Sequence, residues 1–355
     1  MKRFKNILFH TDGCGGSDPA LSRAVELARR NEGRLTIISV LRDLPRELSR
    51  LAEGIHPTDL RESAMQELRE RLAQLVAPFR EMEPPADIAI EVRCGTPFIE
   101  IIRTVLRSSH DLVMLNAGGR RGKNGMLLGS TSLQLMRKCP CPVWVIKASR
   151  RRHVARILAA IDPDASDPVR DAVNVQIMEL ATSLARLEDS ALHVVHVWDV
   201  YDEYILRRWR TFLPETPAYN LTTLTEEAHR SQVEELLGRF DFDGLRLRSH
   251  LLKGEVGTEI LQLAAKQHID LIVMGTVART GLAGFFIGNT AETVLRQVKC
   301  SVLTIRPKEF VTPVGPDPTG PETAPRTEPT TVKLGGQKLP KNKKGTANHE
   351  KEQDS

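Results

Sequence analysis

Asp270-Leu271-Ile272-Val273-Met274-Gly275 is a short apolar run ending in glycine, and thirteen residues further on Gly288-Asn289-Thr290-Ala291-Glu292 opens a helical pattern. An apolar run of this length, bounded by turn residues, reads as a buried strand. About 159 residues upstream the wording recurs: Asp111-Leu112-Val113-Met114, then Leu128-Gly129-Ser130-Thr131 against Ile287-Gly288-Asn289-Thr290. Outward from these anchors, Gly95 with Glu100-Ile101-Ile102 matches Gly254 with Glu259-Ile260-Leu261. Cys141-Pro142-Val143-Trp144-Val145-Ile146 matches Cys300-Ser301-Val302-Leu303-Thr304-Ile305. The beginnings correspond too: Asn6-Ile7-Leu8 through Asp12 with Arg156-Ile157-Leu158 through Asp162, and Ser17-Asp18-Pro19 with Ser166-Asp167-Pro168. Matched blocks in one order, at a period too long for a solenoid, describe a duplicated domain.

Each half alternates strand and helix. First strands are expected over 7–9 and 157–160, each closed by an Asp; Ser17 or Ser166 then caps a helix with Pro in its first turn. Second strands fall at 35–41 and 192–198. Second helices run from 59 to about 79, where Asp59 and Glu62 resemble a capping box, and from 221 to about 237. Third strands span 88–93 and 245–252, and third helices begin near Pro97 and Thr258. Fourth strands (112–115 and 271–274) lead through glycine-rich loops to a fourth helix and then to fifth strands at 143–146 and 302–305. This alternation predicts an α/β fold: two tandem Rossmann-like domains, each a mainly parallel five-stranded sheet with helices on both faces. The domains are expected at 1–149 and 150–311. An Arg-rich exposed linker spans 147–156, and a Pro-, Thr- and Lys-rich disordered tail spans 312–355. The apolar fifth strands are candidates for joining the halves as an intramolecular pseudo-dimer.

Composition narrows the function classes. The 355 residues are 41% hydrophobic and 27% charged, ordinary for a soluble protein with two cores. A net charge of +5 is too dilute to point to nucleic acid, and the basic cluster at 338–344 reads as a solvated tail. No apolar run approaches the roughly 18 residues of a membrane span, and no signal peptide follows Met1. Five scattered cysteines form no disulfide framework, so a reduced, cytoplasmic protein is expected.

In a parallel sheet, ligands bind outside the carboxyl ends of the strands. Asp12 and Asp162 stand there, as do the loops after the fourth strands. Glycines in those loops allow positive φ and close approach of a phosphate, and the helix openings at Gly129-Ser130 and Gly288-Asn289 offer free N–H groups to an anion. A tight turn with a plain helix start is the alternative. The pattern Gly-x2-Gly-x9-Gly-Ser/Thr after strand four, with an Asp after strand one, resembles the universal stress protein family over roughly residues 3–308. The resemblance implies an adenine nucleotide alpha hydrolase-like fold and a cytoplasmic role protecting the cell under stress, such as DNA damage or oxidation. In some members it also implies bound ATP, with no metal required. By that resemblance Asp12 and Asp162 sit beside the adenine, and Val40 and Val197 offer backbone groups to its edge. Asn116, Gly119, Arg120, Gly129, Ser130 and Thr131 in the first half would hold ribose and phosphates. Their counterparts in the second half are Gly275, Arg279, Gly288, Asn289 and Thr290. Asn116 replaces the first glycine of the pattern, where Asn tolerates a left-handed backbone; Ala278 replaces the second glycine in the other half, and Asn289 the Ser. Arg120, Arg121 and Lys123 favour the first half for phosphate, or form an exposed basic loop.

The regulatory reading has rivals. One is a weak ATPase, although no residue stands out as a general base and neither a Walker loop nor a His-x-Gly-His pair occurs. The other is a module whose degenerate pockets take a lipid-like ligand or a protein partner. A homo-oligomer is a further assembly open to the chain. His193 and His196, three apart on a strand, point to opposite faces and read as polar residues of a half-buried strand. Cys139-Pro140-Cys141 is not a CxxC motif. Cys141, Cys300, Trp144 and Trp198 read as packing residues.

Overall fold

Each expected strand forms, lengthened by a residue or two where flanking polar side chains still find a ladder partner. The computed structural model describes residues 4–13, 19–43, 57–79, 82, 86–117, 128–147, 153–164, 166–198, 218–276 and 288–316. The first half runs β1 (Asn6–His10), α1 (Pro19–Asn31), β2 (Arg34–Leu41), α2 (Pro57–Val76) with a 3-10 turn at Ala77–Phe79, β3 (Asp87–Cys94), α3 (Pro97–Ser108), β4 (Leu112–Asn116), α4 (Ser130–Lys138) and β5 (Val143–Ile146). The second half repeats it: β6 (Arg156–Ile161), α5 (Pro168–Glu188), β7 (Ala191–Trp198), α6 (Ala218–Leu237), β8 (Arg246–Lys253), α7 (Val256–Lys266), β9 (Leu271–Gly275), α8 (Asn289–Gln297) and β10 (Ser301–Ile305). Most of the tail, 317–355, and Ser17 lie outside the described residues; Val314 rests against the core.

The two five-stranded sheets merge into one of ten strands, ordered β3-β2-β1-β4-β5-β10-β9-β6-β7-β8. Every pairing within a half is parallel, while β5 and β10 meet antiparallel, with Val145 opposite Val302 and Trp144 opposite Leu303. The expected contact between fifth strands is thus the seam of the molecule. Leu21, Leu72, Ile177 and Leu236 pack α1, α2, α5 and α6 on one face. Ile101, Leu135, Ile260 and Val294 pack α3, α4, α7 and α8 on the other.

Side chains reinforce the seam with approximate twofold symmetry. Lys147, after β5, is buried and donates from Nζ to Val298 O at the end of α8. Arg306, after β10, donates to Met136 O near the end of α4 at 2.7 Å, and burial pushes its guanidinium down to about 10. Each half therefore sends a cation to the negative end of the other half's last helix. Thr304 Oγ1 adds a bond to Val143 O at 3.2 Å.

The repeated Asp-Leu-Val/Ile wording has a physical cause. Asp111 Oδ2 accepts from the N–H groups of Lys5 (2.6 Å) and Asn6 (3.1 Å), pinning the start of β1. Asp270 Oδ2 accepts from those of Ala155 and Arg156, both at 3.0 Å, pinning the start of β6. Replacing Asp270 with Ala orphans both donors. It is expected to destabilise the protein by about 2–3 kcal/mol, read as a lower urea midpoint at an unchanged denaturant slope.

Several helix starts differ from expectation; α6 begins at Ala218, three residues early, and α7 at Val256. The cap of α5 is Asp167, whose carboxylate accepts from Val169 N and Arg170 N. Pro168 occupies the first helical position, so the residue immediately before it is the cap, and Ser166 bonds Asp164 instead. Helix α2 begins at Pro57, which places Asp59 inside the first turn rather than at the cap.

Candidate functional site

The carboxyl ends of β2 and β3 and the starts of α3 and α4 enclose a cavity of about 370 Å³ in the first half, lined by Arg42, Asp43, Gly95, Thr96, Pro97, Phe98, Ser130, Thr131 and Gln134. Two helix N-termini border this space. The cap of α4 is Gly129, which has no side chain to offer, and the cap of α3 is Thr96, which makes no side-chain capping bond. The first turn of α4 holds no acidic residue, and Glu100 in the first turn of α3 is engaged by Arg103 at 2.8 Å. The uncapped start of α4 thus borders a space whose lining carries one cation, Arg42, and one carboxylate, Asp43.

Glycine at 129 is not demanded by the backbone. Its φ of −64° and ψ of 158° suit any residue, and among the described residues an added Cβ would meet Ala117 O alone, at an ordinary 3.9 Å. The expectation of positive φ is therefore corrected: Gly129 and Gly288 (φ −59°) both open their helices in extended backbone. Asn116 and Gly275 are likewise last strand residues, paired with Ile146 and Ile305, and need no left-handed conformation. What Gly275 does supply is clearance, since Val173 Cγ1 of α5 lies 3.0 Å from where its Cβ would be. Counting from the matched prolines, the same helix position in the first half is Ala24, which leaves space for Asn116. The loops leave and rejoin at one point in both halves: Gly129 N–H donates to Ala117 O (3.3 Å) and Gly288 N–H to Thr276 O (3.2 Å).

Of the sequence-predicted residues, Ser130 and Thr131 line the cavity. Asp12, Val40 and Asn116 end or follow strands on the same edge of the sheet without forming its walls. Gly119, Arg120, Arg121, Lys123, Ala278 and Arg279 lie outside the described residues. Sequence reading missed His10, at the end of β1, whose counterpart is Ala160. Burial pushes its imidazole down to about 4; Asp12 opposes this and Arg42 adds to it, which sets all three groups within electrostatic reach.

The corresponding place in the second half is built differently. Gly257 takes the position of Phe98 and lets Thr293 Cγ2 come within 3.0 Å of where a Cβ would be. Glu255, in place of Thr96, caps α7 through the N–H groups of Gly257 (3.1 Å) and Thr258 (2.6 Å), and these bonds hold its carboxyl below the usual range. Helix α8 carries Glu292 in its first turn, after Asn289 and Thr290, and Arg296 and Arg137 hold that carboxyl low. Asp162 lies 3.6 Å from Arg170, which also binds Asp164 at 3.0 Å. Asn174 clamps the Asp162 backbone by accepting from its N–H at 2.9 Å and donating to its O at 2.8 Å. A carboxylate thus caps α7 where Thr96 leaves α3 uncapped, while the start of α8, like that of α4, has no side-chain cap and differs by carrying Glu292 in its first turn.

The histidines also depart from expectation. β7 is buried almost throughout, not half-buried. His193 and His196 do take opposite faces, yet each finds another histidine: His193 Nδ1 lies 3.0 Å from His250 Nε2, and His196 Nε2 lies 3.0 Å from His229 Nδ1. Trp198, next to Val197, stacks on His229 with ring centroids 5.7 Å apart, and Lys253 Nζ sits 5.1 Å over the indole. Leu41 and Cys94 hold the matching positions beside the first-half cavity. Among the described residues no group of three His, Cys, Asp or Glu is placed to hold a metal, and no helix is long and apolar enough to cross a membrane.

Comparison with known proteins follows this architecture. The model of the universal stress protein family matches residues 3–147 and 153–306. Universal stress protein E of Salmonella typhi is 29% identical over 315 residues, covering 88% of this chain and 98% of that one. The protein of the same name in Escherichia coli K12 is 27% identical, with the same coverage. Among solved structures, a Pseudomonas aeruginosa PAO1 protein of unknown function superposes with a TM-score of 0.60 at 25% identity, over 86% of this chain and 94% of its own.

Proposed function

The chain belongs to the universal stress protein family, and on that premise we propose that its first half binds ATP or a related adenine nucleotide as a regulatory ligand of a stress response. The observation that carries the reading is the cavity of about 370 Å³ set against two helix N-termini that no side chain caps. Its size suits a nucleotide-sized ligand. Gly129, Ser130 and Thr131 would hold the phosphates through backbone N–H and hydroxyl donors, with Arg42 supplying a mobile countercharge. Asp12 and Val40, ending the neighbouring strands, would take the base. The missing side chain at 129, which the fold does not require, leaves room for that approach. Binding is the role assigned here rather than turnover; Asp43, the one carboxylate among the described lining residues, lies 3.8 Å from Arg61. The second half serves as the structural partner: Glu255 caps α7, and Glu292 sets a carboxylate in the first turn of α8, where α4 has no acidic residue.

Calorimetric titration of ATP into nucleotide-free protein tests this. A single-site isotherm is expected, weakened at least about tenfold by Gly129→Asp, which sets a carboxylate at the phosphate position, and retained in Gly288→Asp. Loss in Gly288→Asp alone would move the site to the other half. No heat, together with no displacement of a fluorescent ATP analogue, would overturn nucleotide binding.

A further inference from the structure

Cys139 and Cys141 flank Pro140 at the corner between α4 and β5. Cys139 caps the end of α4 in extended backbone (φ −72°, ψ 134°), its N–H donating to Leu135 O at 2.8 Å. The chain bends at Pro140 and Cys141, and the two sulfurs face each other at 3.6 Å. Cys139 is fully buried, while Cys141 keeps some contact with solvent. The buried guanidinium of Arg306 interacts electrostatically with Cys139, the inner of the two sulfurs. The matching corner of the second half has Val298 as the cap of α8 and Cys300 beyond it. Duplication has thus left one corner with two facing thiols and a counterpart of the same design with one.

We infer that Cys139 and Cys141 are an oxidisable dithiol that closes to a disulfide under hydrogen peroxide. The Cys141 thiolate attacks one peroxide oxygen and the O–O bond breaks. This leaves a sulfenic acid on Cys141 and a hydroxide that departs as water with the thiol proton. The Cys139 sulfur then attacks the sulfenic sulfur: the S–S bond forms, the S–O bond breaks, and the leaving hydroxide takes the Cys139 proton as a second water. Two electrons pass from the sulfurs to the peroxide. Closure needs an approach of about 1.5 Å beyond the 3.6 Å contact, which rotation of the Cys141 side chain can supply. The Cys139 contact and burial push the Cys141 thiol well up, so little thiolate is present at neutral pH and the pair answers sustained rather than brief exposure. Helix α4 runs from the cavity wall at Ser130 to this corner, so the lock would act on an element of the cavity; the dithiol itself does not depend on what the cavity binds.

The test is peroxide treatment of the full chain, then alkylation under denaturing conditions and peptide mass spectrometry. The peptide holding Cys139 and Cys141 is expected to lose both alkylation sites and about 2 Da, and a dithiol reductant should restore it. Cys300 is the internal control and should still be alkylated. In Cys139→Ser, Cys141 should gain oxygen instead of closing; in Cys141→Ser, the buried Cys139 should stay a thiol. Full alkylation of Cys139 and Cys141 at exposures that already oxidise Cys300 would overturn the inference, as would a disulfide from either to Cys14, Cys94 or Cys300.

Discussion

Trp144→Ala is expected to lower the unfolding free energy by about 3–5 kcal/mol, whereas Trp144→Phe costs much less. Trp144 is among the largest fully buried side chains and lies on β5, opposite Leu303 across the seam. Truncation empties a site whose neighbours are held by strands from both halves, so the surroundings cannot collapse into it. Its indole N–H is buried and has no hydrogen-bond partner among the described residues, so phenylalanine gives up ring volume while removing an unsatisfied donor. Urea unfolding of the two variants decides the point. Equal losses would mean that the indole N–H, not the volume, governs the site. A small loss for alanine would mean that the seam carries little of the stability.

Acid is expected to destabilise the protein well before its carboxylates protonate. Burial pushes His10 and His193 down to about 4 from an ordinary 6.5, and for His193 the neighbouring His250, Arg248 and Arg156 all add to the shift. A folded-state value below the unfolded one means that the unfolded chain binds more protons in this interval. The contribution is intact above about 6.5 and is lost as the pH falls toward about 4, with His193 giving up on the order of 2 kcal/mol by about pH 5. His10 acts in the same direction, opposed in part by Asp12. Urea midpoints measured between pH 7.5 and 5 should fall in the parent and fall less steeply in His193→Gln, which cannot be protonated. Parallel curves for the two proteins would remove His193 as the cause. The matched position in the first half is Thr36, so the His193 part of the sensitivity belongs to the second half and the His10 part to the first.

The duplication, the succession of strands and helices within each half and the joining of the fifth strands were legible because each is written in local apolar runs repeated at one spacing. Helix starts were less so. Ser166 and Asp167 are both good capping residues, and only the position of Pro168 decides between them. The helix opening at Gly129 was readable, but its backbone was not: φ is −64° there, in extended backbone that any residue adopts. The difference between the halves was the least visible feature. It rests on Gly257 meeting Thr293, on Glu255 capping α7 and on Glu292 pairing with Arg296 and Arg137, contacts that no single motif contains. The histidine pairs were hidden for the same reason, with partners 57 and 33 residues apart on other elements.

The antiparallel seam also bears on how the protein behaves when scarce. Two separate five-stranded halves meeting along such an edge would dissociate on dilution, exposing an apolar strand prone to mispairing. Within one polypeptide, β10 meets β5 at an effective concentration on the order of millimolar whatever the number of molecules in the cell. Assembly of the sheet is then indifferent to expression level. Whatever the cavity of the first half senses, its occupancy can follow the supply of that ligand alone, in a cell making ten copies of the chain or ten thousand.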